Sequence, residues 1–237
     1  MRSEEFLNLY RTLEDELENK YLGVHKTNPS VVMQYLNDTE SLPVREQLDL
    51  CREIRNILSH NPDMQGEPVV EPAEALLDSL KQIIEYIKRP PLALDFATRH
   101  DQLLWADMGQ RVLEVMRAME KRGFSHVPVL QKGELVGVFS MGTVFSFMTR
   151  DMGEKGITPA TRVRDFLPWL PIEKHTQEIY AFIDEGATYA DVKFEFERIK
   201  KGGKRLAALF VTKTGEQTEP LIGMITPWDV LRNRGTN

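Results

Sequence analysis

The C-terminal part of the chain repeats itself, and an internal repeat limits the fold more sharply than any composition figure. The first copy comprises residues 112–119, 123–130 and 133–140; the second comprises 189–200, Gly202-Gly203, 206–211 and 221–226. Each predicts a helix, a glycine stop, an apolar strand, a turn, a second strand carrying a glycine, and a hydroxyl residue that opens a last helix. In the helices the copies are offset by 80 residues, as Val112 to Val192 and Met116 to Phe196. Past the turn the offset is 86, as Gly137 to Gly223 and Ser140 to Thr226. The six extra residues fall in the second hairpin, around 212–219. Val112, Val115, Met116 and Met119 give the first helix its buried face; Tyr189, Val192, Phe196 and Ile199 do so in the second. Gln131-Lys132-Gly133-Glu134, between two runs rich in branched residues, reads as a hairpin turn.

Residues 1–90 read differently. Phe6, Tyr10, Leu13, Leu17 and Tyr21 step by three and four, one face of a helix with Ser3 as its candidate N-cap. A short helix fits residues 29–36, with Pro29 in its first turn. A third fits 43–59, with Leu48, Cys51, Ile54 and Leu58 inward and Asn61-Pro62 as its stop. Pro72 opens a fourth, with Leu76, Leu77, Leu80, Ile83, Ile84 and Ile87 inward, and Pro90-Pro91 ends it. The fold class expected is α+β, an all-α bundle over 1–90 followed by a module of two helix–hairpin–helix repeats over 91–237. Within the module, repeat one spans about 91–150 and repeat two about 161–236.

Charge and composition exclude several functions. The bundle holds seventeen acids and ten bases, and the whole chain carries −6, so the surface as a whole does not read as a cradle for nucleic acid and only a local basic pocket stays open. The single cysteine, Cys51, rules out an internal disulfide and cysteine-rich zinc sites, and its place in an apolar pattern reads as core. No stretch approaches the ~20 apolar residues of a membrane helix, and acids occupy the start where a signal peptide needs apolar residues. A cytoplasmic protein with no membrane partner is expected. No glycine-rich phosphate loop, nucleophile elbow or paired metal-ligand motif is present, and no metal site is expected. His100 and His175 stand alone and read as surface or packing residues.

His126-Val127-Pro128-Val129, the strand ending Leu135-Val136-Gly137-Val138, and Gly223-Met224-Ile225-Thr226-Pro227-Trp228-Asp229 resemble CBS domains. The resemblance covers about residues 91–236 and implies a pair of repeats that binds an adenine nucleotide, AMP, ADP or ATP, in a cleft. It carries the ribose-phosphate motif onto Thr226 and Asp229, a hydroxyl followed three positions later by a carboxylate. A helix start offers free N–H groups and a hydroxyl to a phosphate, and a carboxylate one turn on accepts bonds from a ribose diol. Thr-Pro-x-Asp is equally a good helix cap with no ligand at all. In the first copy the matching residues are Ser140 and Thr143, without an Asp, and Val127 and Pro128 lie on the strand beside them. Ala207 and Ala208 replace the first copy's Val-Pro pair, which leaves room for a base or reflects different packing.

The end of the third helix, Arg55-Asn56-Ile57-Leu58-Ser59-His60, resembles the R-x4-H signature of the HEPN superfamily. That resemblance implies a metal-independent ribonuclease in which two subunits bring their Arg/His sets to one cleft. His60 would move a proton near neutral pH, and Arg55 would face the phosphorane charge, with Asn56 beside them. An Arg and a His in a last helical turn also simply complement the helix dipole. Three functions therefore stand open: a nucleotide-sensing regulatory protein whose bundle is the output, a ligand-gated ribonuclease with RNA as partner, and a scaffold with no ligand. A homodimer is implied by both resemblances.

Overall fold

The computed structural model describes residues 2–24, 27–60, 63–64, 67–150, 156–198 and 204–232. The chain forms two compact units, Met1–Pro91 with Thr188–Asp191, and Leu92–Ala187 with Val192–Thr236. The fold class is α+β.

In the first unit α1 (Arg2–Lys20), α2 (Val31–Leu36), α3 (Arg45–His60) and α4 (Glu74–Lys88) enclose one core, with a two-stranded β1 (Asp63–Met64) and β2 (Glu67–Pro68) between the last two helices. Phe6, Leu13 and Leu17 of α1, Leu48 and Cys51 of α3, and Leu77 and Leu80 of α4 are fully buried in it. Helical spacing put these residues on inward stripes, and burying the stripes is what holds such short helices. Burial also pushes the Cys51 thiol up to about 11, which fits a packing group and not a nucleophile.

The helix starts correct three expectations. Ser3 is not a cap: it lies inside α1 and is buried, and the Glu71 carboxylate takes the Arg2 N–H at 3.0 Å instead. Pro29 is not in the first turn of α2, because Ser30 is the N-cap and its hydroxyl accepts the Met33 N–H. Pro72 stands ahead of Ala73, the N-cap of α4. Asn61 and Pro62 lie outside the described residues.

The second unit opens with α5 (Ala93–Phe96) and β3 (Thr98–Arg99). Ala106 then pairs in parallel with the next strand, and α6 (Val112–Arg122) ends at Gly123, whose φ of 68° supplies the left-handed C-cap. The hairpin β4 (His126–Gln131) and β5 (Glu134–Ser140) follows, and α7 (Met141–Arg150) starts directly on β5. Lys132 (φ 54°) and Gly133 (φ 86°) form the two-residue turn. The second copy starts with β6 (Glu178–Asp184), which sequence periodicity had not marked as a strand. α8 (Tyr189–Glu197), β7 (Arg205–Thr212), β8 (Gly223–Ile225) and α9 (Pro227–Arg232) complete it. Ile199 and Gly202-Gly203 lie outside the described residues. Both copies thus run strand, helix, strand, strand, helix, with the first copy's leading strand reduced to the Ala106 bridge. The second sheet has the order β3-β8-β7-β6, and β6 is parallel to β7.

Three apolar clusters hold this unit. One belongs to the first copy, around Val112, Val127, Phe139 and Phe166, and one to the second, around Val192, Leu209, Val211 and Ile225. The third is shared, with Leu130, Leu135 and Val138 of the first hairpin packed with Tyr180, Ala208, Phe210 and Met224 of the second sheet. Strand alternation makes this possible: Ala208 and Phe210 face the shared cluster while Leu209 and Val211 face the other way.

The repeated glycines have one cause. At Gly137 a methyl group would overlap the Leu170 carbonyl and lie 2.9 Å from Leu170 Cβ. That carbonyl accepts the Val138 N–H at 2.8 Å. At Gly223 the methyl would lie 3.2 Å from the Thr98 carbonyl, on the paired strand β3. Each glycine lets a passing backbone lie against the second strand of its hairpin. Gly137→Ala is expected to lower stability by about 1–3 kcal/mol through overpacking. Urea unfolding of the variant beside wild type checks it; an unchanged midpoint would show that Leu170 is free to move aside.

Candidate functional site

The two helix starts that follow the hairpins differ in accessibility. In the second copy Thr226 and Asp229 are half-buried. Asp229 Oδ2 accepts the Thr226 N–H and the Thr226 hydroxyl, both at 2.7 Å. Pro227 brings no N–H, and those of Asp229 and Val230 bond the Thr226 carbonyl at 3.0 and 3.5 Å. This end therefore offers a hydroxyl and a carboxylate already paired, not the open row of amides that a bare helix start would present. Trp228 beside them is 72% exposed.

The first copy is closed. Ser140 and Thr143 are 0% and 1% exposed, and Val127 and Pro128 are buried too. The Ser140 N–H bonds Thr143 Oγ1 at 3.1 Å, the Thr143 N–H bonds Ser140 Oγ at 3.3 Å, and the Thr143 hydroxyl donates to the Val138 carbonyl. Both hydroxyls are fully used inside the protein. Ala208 lies beside Tyr180 of the neighbouring parallel strand and is buried in the shared apolar cluster.

A polar cluster that sequence reasoning missed joins β4, β5 and β6. Glu178 Oε1 accepts from His126 Nε2 at 2.9 Å, and Oε2 accepts from the Tyr180 hydroxyl at 2.9 Å and the Ser140 hydroxyl at 3.3 Å. A carboxylate only accepts, so His126 Nε2 carries the proton, and Nδ1 faces the Ser125 hydroxyl at 2.8 Å. His175 is buried, with Nε2 3.3 Å from the Leu170 carbonyl and Nδ1 3.8 Å from Glu178 Oε2. It packs in the interior, 4.9 Å from the Tyr180 ring, as one of the two expected readings had it, but it is not isolated. His100 stacks on Trp105 at 6.2 Å. The signal for the cluster was present in Glu178-Ile-Tyr180-Ala-Phe182, whose alternation puts three residues on one strand face.

These contacts set the charge states. The His126 hydrogen bond, outweighing burial and helped by the His126 charge and Tyr180, holds Glu178 down to about 2. Burial pushes His175 below the ordinary histidine range, against the Leu170 carbonyl and Glu178, which favour its charge.

In the bundle, Arg55, Asn56 and His60 sit on α3. Arg55 pairs with Glu14 at 3.3 Å, lies 5.5 Å over the Tyr10 ring, and bonds Asn56 Oδ1 at 3.4 Å. The structure brings Arg55 and Asn56 together but ties the guanidinium to a carboxylate. His60, the last residue of α3, is exposed. No group of three or more His, Cys, Asp or Glu among the described residues is placed to hold a metal ion, and no described helix is long and apolar enough to cross a membrane.

The family model described as "CBS domain" matches residues 95–150. Residues 95–150 are a CBS domain. It comprises the Ala106 bridge, α6, the first hairpin and α7, and it is followed by the second copy described above. Among curated proteins, the uncharacterized protein MJ1225 of Methanocaldococcus jannaschii is 23% identical over 137 residues, 55% of this chain and 46% of that protein. The chain thus spans less than half of that relative. Its crystal structure is similar at 19% identity over 72% of this chain and 56% of that one, with a TM-score of 0.44. CBSX2 in complex with AMP is similar at 16% identity, over 60% of this chain and 94% of that one, with a TM-score of 0.41.

The cluster predicts an acid response. Unfolded, Glu178 takes up its proton near pH 4.5; folded, it does so only at about 2. Its contribution to stability is complete above pH 4.5 and is lost as pH falls through about 2. Glu178→Gln should therefore be less stable than wild type at pH 6, with the gap closing between 4.5 and 2. Thermal unfolding at four pH values across that range checks it, and a gap independent of pH would contradict it.

Proposed function

We propose that the second unit is a nucleotide-sensing regulatory module, that an adenine nucleotide binds at the Thr226–Asp229 end of its second copy, and that the helical unit is the output. The observation that carries this is the contrast between the two helix starts. Thr226 and Asp229 are reachable, while Ser140 and Thr143 are buried and satisfied. A CBS domain is the setting in which a hydroxyl and a carboxylate at this spacing meet a ribose and phosphate. On binding, Asp229 would exchange the Thr226 hydroxyl for a ribose diol, and the freed hydroxyl would donate to a phosphate oxygen. The exchange replaces one hydrogen bond with several, and exposed Trp228 would add a flat apolar surface for the base.

A ligand acts on an output only by binding one arrangement more tightly than another. Self-association as a homodimer belongs to the same proposal. On α7, Met141 and Phe145 are 71% and 68% exposed on one helix face, apolar surface that a second copy would cover. A ribonuclease reading gains no support from Arg55, whose charge is already met by Glu14.

Thermal unfolding with AMP, ADP and ATP tests the proposal. At a hundredfold excess over Kd the expected stabilisation of wild type is about 2.7 kcal/mol. Asp229→Ala should lose that rise as well as a part of its ligand-free stability from the cap, about 1 kcal/mol. No response of wild type to any of the three would overturn the proposal.

A further inference from the structure

The helix start of the first copy holds an anion, and the chain itself supplies it. Ser140 and Thr143 stand where Thr226 and Asp229 stand in the second copy, at the same offset of 86. In the second copy the carboxylate at this place belongs to the helix. In the first copy it belongs to Glu178, 38 residues away on β6. Its Oε2 takes the Ser140 hydroxyl, and a methyl group on Gly142, in the first turn of α7, would lie 3.8 Å from that oxygen. The carboxylate therefore lies over the start of a ten-residue helix, where an incoming phosphate would seek its donors. His126 donates to Oε1 and Tyr180 to Oε2, at 2.9 Å each, and the buried His175 lies beside Oε2 with Nδ1 3.8 Å away.

We infer that Glu178 is a built-in ligand of the first copy: its carboxylate fills the anion position at the start of α7, bars an anionic nucleotide from that end, and ties the second copy to the first. The chemistry of the pocket is that of a carboxylate receptor, with an imidazole N–H, a phenol and a serine hydroxyl converging on two oxygens. A nucleotide phosphate would have to expel Glu178 into solvent to reach the buried Ser140 hydroxyl, and the Thr143 hydroxyl is already given to the Val138 carbonyl. The module therefore holds one nucleotide per chain, at Thr226–Asp229. Only the identity of what is kept out rests on the function proposed above; the internal tie stands or falls without any nucleotide.

Acetate matches the CH2–COO⁻ fragment that Glu178→Ala removes, so the test is chemical rescue. The full-length variant is unfolded thermally in chloride and in acetate at equal ionic strength and pH 7. Its Tm in chloride should fall by about 4 °C or more, as expected for loss of a half-buried tie in a domain this size. Acetate should restore part of that loss in a saturable way and leave wild type unmoved. Glu178→Gln keeps the volume, so it should show a lowered Tm that acetate does not restore; it also decides the matter if the alanine variant does not fold. A Tm unchanged in both variants, or an acetate response equal in wild type and Glu178→Ala, would overturn the inference. Calorimetric titration of wild type with AMP adds a separate reading: two molecules bound per chain would also overturn it. Absence of AMP binding beside a positive acetate rescue would sink the nucleotide assignment and leave the internal ligand intact.

Discussion

Neither hairpin of the repeat module can bury both of its faces alone, and the shared apolar layer between the two sheets answers that constraint. A two-stranded ribbon is marginal by itself. The first hairpin turns Val127, Val129 and Phe139 toward its own helices and Leu135 and Val138 toward the other copy. The second sheet does the same with Leu209 and Val211 on one side and Ala208 and Phe210 on the other. Each copy thus completes the other, and the glycines at 137 and 223 let neighbouring chain close against the strands that carry this layer.

The edge of the shared layer is where the copies become chemically unequal. Tyr180 sits in the layer, stacked at 5.9 Å on Phe210, while its hydroxyl reaches the Glu178 carboxylate. The strand that places Tyr180 in the apolar layer necessarily places Glu178, two residues earlier, on the same face. That face meets His126 and Ser140 of the first copy. A carboxylate in such a half-buried place is tolerated because three donors converge on it, and the same donors hold its proton affinity low. The outcome is one closed helix start and one reachable one.

The helical unit shows how a short motif takes its meaning from its surroundings. The guanidinium of Arg55 is held by Glu14 and lies over the Tyr10 ring of α1. The pair links α3 to α1. The unit's core, by contrast, follows its apolar spacing closely, since α1, α3 and α4 bury the residues that a period of 3.6 places together.

The sequence alone determined the features that depend on neighbours in the chain: the inward stripes of the bundle, the two-residue turn at Lys132-Gly133, the glycine stop at Gly123, and the order of helix and hairpin in both copies. It left helix starts imprecise, because Ser3 and Pro29 had to compete with Glu71 and Ser30, and only coordinates show which group reaches the free N–H. The pairing of Thr226 with Asp229 was legible too, three residues apart on one turn. What tertiary structure decided is the fate of Ser140 and Thr143 and the role of Glu178, His126 and His175. These residues are separated by up to 52 positions, and their chemistry follows from burial and from which donors converge on one carboxylate. No local period encodes that convergence; the packing of two sheets against one layer does.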